Sequence, residues 1–176
     1  MLSNPTSAHP GALPRLLDWL RDRAVEHDVH EHAETFTARQ TARAEGVDPH
    51  TFAKVVAVRT DDDGQIVLLV LDATDRVDLR KAREALVADD VRLLTEAELA
   101  TFAPECDPGA TPAVGALFDV PMVADRAIRD ADALSFSAGT HRCSVRVDRQ
   151  AWEHATGVRY ADLAEAADER PAWARS

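Results

Sequence analysis

FAKVVAVRT (52–60) and QIVLLVLD (65–72) are two runs rich in β-branched residues, and the acidic turn sequence DDDG (61–64) separates them. Two such runs joined by a short turn that ends in glycine predict an antiparallel β-hairpin. The second run is apolar on both faces from Ile66 to Leu71, which is typical of a central strand covered on both sides or of a strand in a closed barrel. The hairpin therefore predicts the sheet around which the rest of the chain packs.

Lys54 lies in the first residues of this hairpin, among apolar neighbours. Only two of the 20 basic residues are lysines, Lys54 and Lys81. Strand alternation places Lys54 on one face with Val56 and Val58, which we expect to be buried. Two interpretations stay open: the side chain lays its stem over apolar surface and keeps its charge in water, or its compact ammonium stands at the mouth of a pocket and binds an anion or a carbonyl group.

The composition is that of one globular domain: 176 residues, 45% hydrophobic and 29% charged. A net charge of −11 argues against broad nonspecific binding to nucleic acid, although it leaves room for a local positive patch. Such a patch would draw on Arg39, Arg43, Lys54, Arg59, Arg76, Arg80, Lys81 and Arg83. No apolar run approaches the roughly 20 residues of a membrane span, and the N-terminus has no signal-peptide pattern, so we expect a cytoplasmic protein.

Helices are predicted from their apolar spacing and their ends. Apolar residues three and four apart over 12–28 predict an amphipathic helix. Thr37 followed by Gln40 fits a capping box, and Gly46 is placed to end that second helix. The remaining predicted helix starts are Asp78, with a helix to about Leu86, and Thr95, which forms a second capping box with Glu98.

Short strands and one irregular loop complete the pattern. The additional strands are predicted at 29–32, 91–94, 121–125, 133–137 and 143–148. The loop at 104–115 holds three prolines and two glycines. The fold class is therefore α+β: a curled, mostly antiparallel mixed sheet that approaches a barrel, with helices outside it. We expect a mobile tail at 1–10, a single domain at 11–156, and a C-terminal helix and tail at 157–176.

The common catalytic motifs are missing from the sequence. It contains no nucleophile elbow, P-loop or dinucleotide-binding glycine motif. His27, His30 and His32 are close together, but no Cys-x-x-Cys or Glu-x-x-His pattern accompanies them, so neither a metal nor a cofactor is predicted. Cys106 and Cys143 are expected to stay reduced. A Ser/Cys–His–acid triad stays open, and the residues alone do not define a reaction.

Seven segments, taken in order, carry a resemblance to a known family. They are HAETFT (32–37), FAKVV (52–56), DRVDLRKAREAL (75–86), VRLLTEAEL (91–99), PECDPGATPAVG (104–115), PMVAD (121–125) and FSAGTHRCSVRV (136–147). Together they resemble the YbaK/prolyl-tRNA-editing-domain family of aminoacyl-tRNA deacylases, from about residue 13 to residue 155. The resemblance depends on the order of the segments, because no single one is diagnostic.

The resemblance implies a site around Lys54, which falls on the family's functional lysine near the terminal adenosine and its ester. It implies substrate contacts from the pocket loop G-x-x-x-P, from the glycine after it, and from other recurrent positions. These residues are Gly109, Ala110, Thr111, Pro112, Ala113, Gly115, Gly139, His32, Thr37 and Asp125. Ala113 stands where the loop's proline is expected, and Ser144 stands where some members carry an acidic residue.

The implied function is trans-editing: hydrolysis of the ester that joins a wrong, small amino acid to the 3′ end of tRNA. The implied partners are the mischarged tRNA and, transiently, an aminoacyl-tRNA synthetase, while the oligomeric state is left open. One alternative is a noncatalytic binding module that kept the fold but lost hydrolysis, which Ala113 and the acidic surface would suit. Another is a hydrolase of small esters or nucleotide derivatives unrelated to tRNA.

Overall fold

A computed structural model describes residues 9–61 and 63–166. Within them the α-helices are Pro14–Asp22 (α1), Ala38–Glu45 (α2), Leu79–Leu86 (α3), Glu96–Phe102 (α4) and Arg149–Thr156 (α5). The strands are His27–Glu31 (β1), Ala53–Thr60 (β2), Ile66–Asp72 (β3), Val91–Leu93 (β4), Met122–Asp125 (β5), Ala133–Ser137 (β6), Cys143–Asp148 (β7) and Arg159–Ala161 (β8). Short 3₁₀ turns occupy Pro49–Thr51, Gly115–Phe118 and Arg126–Asp130.

The strands form two sheets. The five-stranded sheet has the order β4-β2-β3-β5-β8, and the three-stranded sheet has the order β1-β7-β6. The predicted hairpin is present as the antiparallel pair β2–β3, with Ala53 opposite Asp72 and Lys54 opposite Leu71. The predicted central position of β3 is confirmed, since two strands lie on each side of it in the sheet and its residues after Ile66 are buried. Only β3–β5 and β5–β8 are parallel.

The expected closure toward a barrel is wrong. The two sheets meet through an isolated bridge between Phe52, just before β2, and Ser135 in β6. On that side of β2 the next strand, β4, pairs only with Val58–Thr60. A three-residue strand is too short to continue the hydrogen-bonded ladder from one sheet into the other, so the two sheets contact each other without forming a closed barrel. The first residues of β2 therefore lie outside the ladder with β4.

The predicted helix ends are confirmed, with one change of detail. The Thr37 side chain accepts the Gln40 N–H, and Gly46 ends α2 in the left-handed conformation with φ of 68°. The Gln40 side chain, however, accepts the N–H of Phe36 rather than that of the cap residue. Asp78 caps α3, and Thr95 and Glu98 form the expected capping box. α1 is shorter than predicted, because Ala24 has a φ of 53° two residues after the helix ends.

The C-terminal segment differs from the expected helix in its described part. Gly157 ends α5 with a φ of 62°, and Arg159–Ala161 then pairs with β5 as the strand β8. β-propensity explains this outcome, because Val158 and Tyr160 favour extended backbone beside an open sheet edge. Residues 1–8 of the expected tail and residues 167–176 lie outside the described residues.

The main core packs side chains of both sheets against α1 and α5. Its largest fully buried side chains include Trp152, Phe136, Leu16 and Leu20. The indole Nε1 of Trp152 donates to the backbone oxygen of Ala113 at 2.8 Å, so α5 ties the irregular loop to the core. No helix within the described ranges is long and apolar enough to cross a membrane.

The two cysteines are separate buried thiols. Neither Cys106 nor Cys143 forms a disulfide. Burial raises the pKa of Cys106 to about 11 and that of Cys143 to about 12. Because the thiolate is the reactive form, neither residue is suited to be a nucleophile near neutral pH.

Gly115 is expected to be required for packing. A Cβ added there would lie 2.5 Å from the Val120 carbonyl oxygen, so Gly115→Ala should destabilise the fold by about 1–3 kcal/mol through overpacking. Gly157→Ala is the matched control, since its Cβ would meet nothing within 4 Å and only its positive φ opposes the change, at about 1 kcal/mol. Chemical denaturation measures both. A Gly115 variant as stable as the wild type would contradict the packing assignment.

Candidate active site

Two adjoining cavities lie beside the start of β2. The outer cavity, of about 600 Å³, is lined by Phe36, Thr37, Ala38, Arg39, Gln40, Arg43, Lys54, Val55, Ala73 and Gly109. The inner cavity, of about 30 Å³, is lined by Thr35, Phe36, Thr37, Ala38, Thr41, Ala53, Lys54, Val55, Gly109, Thr111, Ser137 and His141. The start of α2, the start of β2, the irregular loop and the end of β6 thus converge on one place.

Lys54 lines both cavities. Its side chain is half-buried, and its ammonium donates to the backbone carbonyl oxygen of Asp75. The register of the hairpin explains this position, since Lys54 pairs with Leu71 near the end of β3 and the chain then turns back past Asp75. Of the two interpretations left open by the sequence, this geometry favours an ammonium held at a pocket.

The start of α2 is held rigidly beside Lys54. The Thr37 hydroxyl accepts the Gln40 N–H at 3.1 Å, and the Thr41 hydroxyl lies 2.6 Å from the Thr35 hydroxyl. Thr41 also donates to the backbone oxygen of Thr37 at 3.0 Å. These bonds fix the hydroxyl-rich side of the inner cavity. The capping role of Thr37 and its place in the cavity wall therefore occur together.

The irregular loop contributes Gly109 and Thr111 to the cavity walls. Gly109 has a φ of 86°, a conformation that favours glycine. Behind it, the Asp107 carboxylate accepts the His141 N–H at 3.0 Å, and the Asp107 N–H donates to the Gly139 oxygen at 2.8 Å. Gly139 supports the loop through its backbone and does not line either cavity.

The rest of the proposed pocket loop turns into the core. Ala110, Pro112 and Ala113 are buried and line neither cavity. Ala113 instead accepts the Trp152 N–H, so the side chain at the position of the family's proline is not part of either cavity wall. Gly115 lines a different cavity, near Met122 and Thr156. The expectation that 109–113 forms one continuous wall is therefore met only by Gly109 and Thr111.

Asp125 is part of the framework and does not line the cavities. One carboxylate oxygen accepts the Ala127 N–H at 2.9 Å. The other accepts the N–H groups of Leu163 and Ala164 at 2.8 and 3.1 Å. Its bonds thus join the end of β5 to the segment after β8, and they account for this aspartate without a substrate contact.

His32 lies beneath α2, in a buried polar cluster with Glu45 and Ser144. The side chains of His32 and Glu45 are only 6% and 5% exposed, with 3.5 Å between Nε2 and Oε1. The Ser144 hydroxyl donates to the same Glu45 oxygen. Glu45 thus brings a carboxylate to Ser144 from α2. Across the described part of the chain, no three side chains of His, Cys, Asp or Glu gather as metal ligands.

Sequence reasoning missed several lining residues. Phe36, Thr35, Thr41, Ser137 and His141 all border the inner cavity. Phe36 and Thr35 lie inside the segment 32–37, and Ser137 and His141 lie inside 136–147, so both segments pointed to the site without singling them out. Thr41 carried no signal, because an isolated threonine fits many structural roles.

The expected positive patch forms only in part. Arg39, Arg43 and Lys54 line the outer cavity together. Other basic residues of that set face acidic partners elsewhere, as Arg59 does with Glu98 and Lys81 with Asp162. Positive charge is therefore concentrated at the mouth of the site on an otherwise acidic protein.

A histidine–carboxylate pair lies beside the outer cavity. His50 is 67% exposed, and its Nδ1 lies 2.7 Å from Asp72 Oδ2, which is 8% exposed. Thr74 fixes the other Asp72 oxygen with its N–H and its hydroxyl. The hydrogen bond and the charge of Asp72 raise the pKa of His50 above its ordinary value. The next residue after Asp72, Ala73, lines the outer cavity.

The raised pKa of His50 gives a pH dependence that can be measured. Protonated His50 is stabilised in the folded state, so its contribution to stability should be fully present below about pH 6.5 and be lost as the pH rises through the folded pKa. NMR titration of the imidazole should show a midpoint above the ordinary value in the wild type. Asp72→Asn should move the midpoint back down. An unchanged midpoint in that variant would contradict the assigned cause.

The comparisons with known proteins agree with this arrangement. The model of the aminoacyl-tRNA editing domain family matches residues 32–155, a range that contains every residue lining the two cavities. The fold is that of an α+β editing domain, and the chain belongs to the aminoacyl-tRNA editing domain family. A search of curated proteins found no match.

Solved structures share the fold over most of the chain. A candidate trans-editing enzyme for prolyl-tRNA synthetase is 25% identical, with a TM-score of 0.77 over 91% of this chain and 100% of that one. A hypothetical protein is 20% identical, with a TM-score of 0.78 over 86% and 99%. A candidate signal transduction protein of Marinobacter aquaeolei is 18% identical, with a TM-score of 0.67, over 89% of this chain but 32% of its own.

Proposed function

We propose that this protein is a trans-editing deacylase that removes a small, wrongly attached amino acid from the 3′ end of tRNA. The observation that carries the proposal is the position of Lys54 at the junction of a wide and a very small cavity. The wide cavity suits the terminal nucleotide, and the small cavity suits the amino-acid side chain. The 25% identical candidate trans-editing enzyme adds support.

The chemistry needs positioning more than a strong nucleophile. Water adds to the carbonyl carbon of the ester, and the negative charge that develops on the carbonyl oxygen is stabilised by the Lys54 ammonium. The bond to the ribose 3′ oxygen then breaks, and that oxygen takes up a proton, giving the free amino acid and intact tRNA. Holding the ester, the water and the neighbouring ribose 2′-hydroxyl together supplies much of the acceleration.

The inner cavity supplies the selectivity. Its volume is about 30 Å³, against about 600 Å³ for the outer cavity. The smaller cavity favours a small side chain over a ring or a long branched chain, so the proposed substrate carries alanine or cysteine. A pocket that selects by size discriminates by only about 1–3 kcal/mol per methylene, which suits a proofreading step.

The noncatalytic alternative was based on Ala113 and on the acidic surface. Ala113 is buried, accepts the Trp152 N–H and lines neither cavity, so this alternative now depends on the acidic surface. Turnover of alanyl-, cysteinyl-, seryl- and prolyl-tRNA by the wild type tests the two directly. Binding without release of any amino acid would favour the noncatalytic module.

Lys54→Ala should lower kcat/KM for alanyl-tRNA by about 10²–10³-fold, because it removes the charge that faces the developing oxyanion. The melting temperature should change little, since the side chain is half-buried at a strand end. Lys54→Arg should not restore activity, because a planar guanidinium replaces a compact ammonium. Unchanged hydrolysis by Lys54→Ala would show that the lysine is only structural.

Ser137→Val should abolish deacylation of alanyl-tRNA by filling the inner cavity that Ser137 lines. Ser137→Ala is the matched control, because it removes the hydroxyl without adding bulk. Single-turnover deacylation of both variants, with melting temperatures as a folding check, makes the comparison. An equal loss of deacylation in both variants would mean that the Ser137 hydroxyl is required and that the size of the inner cavity is not decisive.

A further inference from the structure

Phe36 is a large aromatic side chain that folding leaves exposed. It is 66% exposed, and the other exposed large hydrophobic residues within the described ranges are Leu79, Val87 and Leu93, none of them aromatic. Those three belong to α3, its end and β4, and line neither cavity at the site. Phe36 lines both. Its exposure therefore coincides with the proposed active site and is not shared with a wider apolar surface.

The exposed ring is held in place. The Phe36 N–H donates to the Gln40 side-chain oxygen at 3.0 Å. The ring packs against His141, with centroids 5.3 Å apart and planes at 55°. His141 is itself fixed, because its N–H donates to the Asp107 carboxylate at 3.0 Å and its carbonyl accepts the Thr35 N–H at 3.0 Å. One edge of the ring is thus supported, and most of its surface stays open to solvent.

Positive charge accompanies the ring. Arg39 and Arg43, one and two turns along α2, line the outer cavity with Phe36 and Lys54. An open aromatic face flanked by basic side chains is the combination that binds single-stranded nucleic acid, since each base has a face that stacks and each linkage carries a negative charge. An apolar peptide would not use the arginines, and the proposed place of the amino acid is the inner cavity, which is far smaller than the outer one.

We propose that Phe36 is the stacking platform for a base at the single-stranded 3′ end of the RNA, and that Arg39 and Arg43 bind the phosphates beside that base. The inference rests on the proposed function and adds to it the means by which the acceptor end is recognised. Stacking fixes the terminal nucleotide in the outer cavity, so that the ester lies beside Lys54. The platform is sequence-tolerant, because stacking does not read base edges.

The first test follows deacylation kinetics. Phe36→Ala should raise KM for alanyl-tRNA by roughly 5- to 150-fold, the range expected for losing one base stack, while kcat stays within a few-fold of the wild type. Phe36→Trp should retain a low KM, and Phe36→Leu should not, because a leucine keeps apolar bulk without a π-face. Leu93→Ala is the matched control for an exposed hydrophobic residue and should leave KM unchanged.

The second test needs no catalysis. Tryptophan fluorescence of Phe36→Trp should be quenched by the oligoribonucleotide ACCA beyond the change seen in the wild type, and the same oligonucleotide with abasic 3′ nucleotides should not quench it. Arg43→Ala should weaken ACCA binding and make its salt dependence shallower. The control is Arg83→Ala, an exposed arginine on α3, which should change neither quantity.

The outcomes separate the platform from the enzyme. If the wild type hydrolyses mischarged tRNA and Phe36→Ala does so with an unchanged KM, the stacking platform is overturned and the proposed function stands. Quenching by ACCA together with an absence of turnover on every mischarged tRNA would overturn the proposed function and keep the nucleobase site. Equal quenching by the abasic oligonucleotide would also overturn the platform, because it would assign binding to the phosphates alone.

Discussion

The register between β2 and β3 is the constraint on which the rest of the structure depends. Pairing Lys54 with Leu71 sets which residues of β2 face the core and where the strand meets the turn that carries Asp75. A slip of one residue would exchange the two faces of β2, bury the ammonium under the sheet and turn Val55 outward. The buried side chains of β3 make that slip expensive, so the placement of the lysine follows from hydrophobic pairing elsewhere in the hairpin.

The sequence predicted local features well because their causes are local. The hairpin, the caps at Thr37, Asp78 and Thr95, and the edge strand at β1 each follow from a few neighbouring residues. Barrel closure could not be judged in this way, since it depends on β4 pairing with only three residues of β2. The strand β8 was missed for a similar reason: its three residues become a strand only because β5 offers an edge.

The site residues also divide into those with a local sequence signal and those that only the fold brings together. Lys54 stood out through its apolar neighbours, and Gly109 and Thr111 through the loop that contains them. Gly115 and Asp125 serve packing and backbone hydrogen bonding, so the family resemblance included them although they hold the framework. The Phe36–His141 pair joins residues more than a hundred positions apart, and only the fold brings them together.

The isolated bridge between Phe52 and Ser135 has a consequence for the size of the inner cavity. The inner cavity takes walls from both sheets, Val55 on one side and Ser137 on the other, while the ladders within each sheet stay intact on either side of the seam. The width of the inner cavity therefore depends on the relative position of the two sheets as well as on which side chains line it.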